Sequence, residues 1–226
     1  MSERLSRLLE ILAVFGAAAV IIVIGLPLAG ENFLAGQLVI WVANIAMISI
    51  VAIALKRRGE SWAHFGIRPI KNWLRLIGAS LLAFVFAVAA FVLGSIVMAN
   101  ITGIPESADM TSYEFISGNL PMLLLSLSGI FIASSFGEEF VYRGFLTTRI
   151  AEMMGGHKHA WIWAVVISSL VFGLAHYTWG PMGIGQTTFM GAALAIAWIK
   201  AKRNLWVVII AHAYMDLILM VQMYLS

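Results

Sequence analysis

The chain has 226 residues, of which 62% are hydrophobic and only 11% are charged, and its formal net charge is +3. A soluble domain is normally about a quarter charged, so this chain has too few charges to solvate a globular surface. The absence of cysteine excludes disulfides, thiolate catalysis and Cys-ligated zinc, and so small a charge, confined to the ends of apolar runs, gives no reason to expect nucleic acid as a partner.

Seven apolar stretches follow one another, at approximately 9–30, 33–55, 74–98, 120–150, 161–176, 184–199 and 205–224. At ~20 residues per crossing they use nearly the whole chain. Residues 1–226 therefore read as a single integral-membrane domain, all-α, a polytopic transmembrane bundle of about seven spans. Period-2 alternation in ~10-residue segments, the mark of a β-barrel, does not occur. Helices then satisfy the backbone in lipid. The first stretch is long enough to span and lacks a small-residue cleavage pattern, so it reads as a retained helix rather than a signal peptide. After the second, Trp62, Phe65, Ile67 and Trp73 alternate with basic and small residues, the pattern of an interfacial segment with aromatic anchors. Between the third and fourth lies a loop with Glu106, Asp109 and Glu114 and no basic residue. The fourth is long and carries charge, so its last turns are expected to project into water. His157 and His159, beside Lys158 in the next connection, read as solvated.

The basic residues predict the orientation. Arg4 and Arg7 precede the first span. Lys56, Arg57, Arg58, Arg68, Lys71 and Arg75 lie between the second and third, Arg149 and Lys158 after the fourth, and Lys200, Lys202 and Arg203 after the sixth. With seven spans all of these fall on one side, which the positive-inside rule makes cytoplasmic. The N-terminus is then inside and the C-terminus outside.

Glu138, Glu139, Arg143, His176, His212 and Asp216 lie within or at the ends of the apolar stretches. A charge at bilayer depth costs about 3 kcal/mol even on lenient scales, so such residues face a bundle interior or a wet cavity and mark a pathway or a site. Glu139 and Arg143 are four apart and can pair on one helix face. Glu138 is rotated by ~100° from Glu139 and is left free to face a cavity, where Tyr142, four residues on, could donate to it. Phe172 with His176, and His212 with Asp216, repeat the four-residue spacing. The second pair reads as a histidine oriented by a carboxylate, an arrangement used in catalysis and around metals. His-Glu-x-x-His and Gly-x-Ser-x-Gly signatures are missing, and Asp216 has no second membrane aspartate to partner it. One glutamate with two histidines remains.

The segment GEEFVYRGFL, then FGLAH ending in His176, then HAYMD from His212 to Asp216, resembles the CPBP family of intramembrane proteases. That family includes the CAAX prenyl endopeptidases and bacterial Abi-type proteins. The resemblance covers approximately residues 120–225. It implies that Glu138 and His176 activate a water for attack on a peptide bond, that His212 and Asp216 stabilise the oxyanion, and that Glu139 and Arg143 support the site. The implied partners are membrane lipid and a peptide or lipidated protein substrate, and the implied location is a bacterial cytoplasmic membrane. Asp216 departs from the Asn of the prenyl-endopeptidase pattern. An amide can donate to an oxyanion and an ionised carboxylate cannot, so Asp216 is either protonated, or orients His212, or helps to hold a metal. Family members have been described as metal-dependent and as glutamate-dependent, and Glu138, His176 and His212 would be the three candidate ligands of a zinc ion with an open position. Metal-free water activation is the expectation. A non-catalytic immunity or scaffold protein and a proton-linked transporter are the competing functions.

Overall fold

A computed structural model describes residues 2–104 and 111–226. Glu106 and Asp109 of the acidic loop lie outside the described residues. Among the described residues, seven helices are long and apolar enough to cross a membrane. They are α1 (Glu3–Ala29), α2 (Phe33–Arg58), α3 (Trp73–Thr102), a composite fourth helix, α6 (Lys158–Ala175), α7 (Gly180–Lys200) and α8 (Leu205–Leu225). The composite begins as α4 (Leu120–Ile130), widens into a π-helical segment (Phe131–Leu146) and ends as α5 (Thr147–Met153).

Local sequence explains where the helices start. Ser2, Asn32, Asn72, Asn119 and Asn204 each accept a hydrogen bond from a backbone N–H of the first turn, which satisfies a donor that has no helical partner. Gly59 ends α2 in the left-handed region, where glycine has no steric penalty. Outward faces are apolar: Leu28, Val23, Leu74 and Leu82 stand exposed, as lipid-facing side chains must.

With no hydrophobic drive between helices in lipid, close packing depends on small residues. α3 and α6 both pack on α7. A Cβ on Gly94 of α3 would come within 3.0 Å of Gln186 Cα, and one on Gly173 of α6 would come within 2.7 Å of the Ile184 carbonyl oxygen. Both glycines therefore set how closely α7 approaches, and Gly173 does so three residues before His176. Trp198, Phe65, Phe140, Phe145, Phe172 and Leu205 form the heart of the core.

Two expectations are corrected here. The segment after α2 is not simply an interfacial anchor: its short 3-10 helix (Trp62–Phe65) places Phe65 at 0% exposure. Phe65 packs edge-on against Phe145 and Phe140, with ring centroids 5.6 and 6.1 Å away. Arg149 is likewise not a solvated flanking charge. The helix continues to Met153, and Arg149, also at 0% exposure, donates to Glu10, Glu60 and Glu152.

Candidate active site

Every candidate residue comes from the π-helical segment, the end of α6 or the middle of α8. A π-helix bonds each N–H five residues back instead of four. Such turns are rare, are usually single, and concentrate at functional sites; here the segment covers 16 residues. Thr147 closes it, with both its backbone N–H and its hydroxyl donating to the Tyr142 carbonyl. The wider turn shifts the angular offsets expected of an α-helix. Tyr142 accordingly packs by its ring against Phe15 and Phe172 and makes no hydrogen bond to Glu138, contrary to the α-helical expectation.

Glu139 is wholly buried, and its Oε1 accepts from Arg143 Nη1 at 2.7 Å and from His212 Nδ1 at 2.8 Å. The ion pair expected from the four-residue spacing is thus formed, and it is extended to a third helix. Arg143 also lies flat against Phe172, its guanidinium carbon 4.1 Å from the ring centroid, a cation–π contact that strengthens when desolvated. Glu139, not Asp216, is the carboxylate that orients His212. Because Glu139 acts as acceptor, Nδ1 of His212 is the donor. The other ring nitrogen, Nε2, faces Ser134 Oγ at 3.5 Å and Asp216 Oδ1 at 3.8 Å. Asp216 is itself held by Ser135, whose hydroxyl donates to Oδ2 at 2.6 Å. The family pattern does not single out the two serines, and only the fold reveals them.

His176 caps the C-terminus of α6. Its Nδ1 lies 2.9 Å from the Phe172 carbonyl oxygen, so Nδ1 carries the proton and Nε2 of the neutral ring is free to accept. Phe172 and Trp179 flank the imidazole, with ring centroids 4.7 and 5.0 Å away. Glu138 is half-buried, and its Oε2 is a buried oxygen without a hydrogen-bond partner. It lies within electrostatic reach of His212, Asp216, Arg143 and Glu139. Arg143 Nη2 and Glu139 Oε2 are also unpartnered. Most buried polar groups are paired, and these three unpartnered atoms belong to three of the six candidate residues.

Among the described residues no three His, Asp or Glu side chains are grouped so as to hold an ion. Glu138, His176 and His212 are therefore not grouped as a three-ligand centre in this arrangement.

No curated protein and no solved structure matches the chain. Residues 120–218 match the family model described as type II CAAX prenyl endopeptidase Rce1-like. The match runs from the first residue of the composite helix to two residues beyond Asp216, and so contains all six candidate residues. Over this segment, which is less than half of the chain, it is similar to the Rce1-like group of CAAX-type prenyl endopeptidases.

Proposed function

We propose that this protein is an intramembrane endopeptidase that hydrolyses peptide bonds of membrane-associated or lipidated substrates with a water activated by Glu138 and His176. The observation that carries this reading is the contrast between adjacent glutamates. Glu139 is engaged by Arg143 and His212, whereas Glu138 has a buried oxygen with no partner.

In this reading Glu138 takes a proton from water, assisted by Nε2 of His176, as the water oxygen bonds to the scissile carbonyl carbon. His212, donating through Nδ1 to Glu139, presents a protonated Nε2 to the tetrahedral oxyanion. Donors fixed in place before charge develops are the most effective stabilisers. The proton on Glu138 then passes to the leaving amide nitrogen, the C–N bond breaks, and an acid and an amine leave. Asp216 acts as a carboxylate that accepts from Ser135 and flanks His212. It does not donate to the oxyanion, which accounts for its place where the prenyl-endopeptidase pattern has Asn. The basic residues at one end of the bundle support a cytoplasmic N-terminus, with the site reached from that side of a bacterial cytoplasmic membrane.

The test is cleavage of prenylated and unprenylated peptides by purified protein, comparing the parent with Glu138→Ala. General-base removal should lower turnover about 10²–10⁴-fold, and equal cleavage by both proteins would refute the assignment. Preference for the prenylated peptide would identify lipidation as part of what is recognised.

A further inference from the structure

We propose that the basic end of the bundle contains a binding site for the phosphate headgroup of an anionic glycerophospholipid, separate from the catalytic cluster. A cavity of about 600 Å³ opens there, lined by Arg68, Gly156, Trp161, Ile199, Lys202 and Arg203. Three elements build it. The stretch after α2 is fastened to the α7–α8 turn, with Leu205 N–H donating to Gly66 O at 3.0 Å and Trp206 Nε1 donating to Arg68 O at 2.9 Å. The N-terminal end of α6 supplies Trp161.

Three observations point to an anion. First, among the described residues none of Arg68, Lys202 and Arg203 forms an ion pair with a carboxylate. Arg68 donates only to the Lys202 carbonyl, at 3.4 Å, and Arg203 rests against Trp161, 5.2 Å from its ring centroid. This contrasts with Arg149, whose three nitrogens all reach carboxylates. Second, Lys202 and Arg203 have φ values of +57° and +58° and are the only non-glycine residues with positive φ among the described residues. Helix ends normally place glycine or asparagine in that region. Two long cations there accept a backbone cost, and such outliers concentrate at ligand clamps.

Third, the walls are amphipathic. Trp161 and Ile199 give the cavity an apolar side, and α6 and α7 continue from it with exposed Ile162, Val166 and Ile196. The matching ligand has a phosphate at the water boundary and acyl chains along the bundle. Basic pockets between helices bind lipid headgroups through these terms.

Full-length protein in a neutral detergent can be titrated with phosphatidylglycerol and with phosphatidylcholine, and bound lipid counted by native mass spectrometry, without any cleavage assay. Phosphatidylglycerol should be retained preferentially. Lys202→Gln/Arg203→Gln should weaken its retention about 25-fold, roughly fivefold per cation. Arg68→Gln, on a different element, should weaken it about fivefold and guards against misfolding of the turn variant. Lys71→Gln/Arg75→Gln, which removes two exposed cations outside the cavity, should change it less than twofold. Inorganic phosphate at equal concentration should not displace the lipid. Equal retention of the two lipids, equal loss in both double variants, or displacement by phosphate would each overturn the proposal.

Discussion

Two clusters of buried charge share the composite fourth helix, and they are built on opposite terms. Around Arg149 the charged side chains are all paired: its guanidinium reaches Glu10, Glu60 and Glu152, Arg58 bonds Glu10 and Glu3, and Arg7 and His64 bond Glu152. Phe65 and Phe145 cover the Arg149 guanidinium, at 4.9 and 5.9 Å. That cluster ties α1, α2, the Trp62–Phe65 turn and α5 together at one end of the bundle. The second cluster, nearer the middle of the helix, contains Glu139, Arg143 and His212 in a chain of short bonds. Yet it leaves Glu138 Oε2, Glu139 Oε2 and Arg143 Nη2 without partners. Saturated networks hold helices in register. A network with polar atoms to spare can take a substrate and a water.

That contrast can be broken in three places. The largest effect on stability should come from Glu139→Gln, which removes the carboxylate paired with buried Arg143. Breaking one side of a buried pair costs about 3–5 kcal/mol, read as a fall in thermal midpoint or in folded yield in detergent. Arg149→Met should cost somewhat less, about 3 kcal/mol, because Glu10, Glu60 and Glu152 retain 16–20% exposure and can rehydrate. Turnover per folded molecule should stay within about twofold of the parent, since Arg149 touches none of the candidate residues. The smallest effect belongs to Ser135→Ala. Loss of a hydrogen bond to a charged group, about 1.5–3 kcal/mol, should lower the midpoint by less than Glu139→Gln does and should also lower turnover per folded molecule. Asp216 would then no longer be fixed beside His212.

The sequence and the structure agree most closely where a single physical term dominates. Seven apolar runs are legible because hydropathy over ~20 residues outweighs every local preference, and the Glu139–Arg143 pair is legible because it needs only one helix. Three features were not legible. The π-helical turn replaces one backbone register with another without any residue that signals it, and it changes what Tyr142 can touch. Arg149 and Glu10 are 139 residues apart, so their pairing depends on how α1 docks, which no local pattern encodes. Phe65 looked like a membrane anchor because aromatic residues beside basic ones usually are, whereas the fold folds it inward onto Phe140 and Phe145. The same docking makes Glu139 the orienting carboxylate of His212, a role that the four-residue spacing had suggested for Asp216.

The central claim is that Glu138 is chemically free and Glu139 structurally engaged. Peptide turnover and thermal midpoint measured side by side for Glu138→Gln and Glu139→Gln test it most directly. Glu138→Gln should lose about 10²–10⁴-fold in turnover while keeping the parent's midpoint, and Glu139→Gln should lower the midpoint strongly. A Glu138→Gln protein that cleaves like the parent, or one that is destabilised as much as Glu139→Gln, would contradict it.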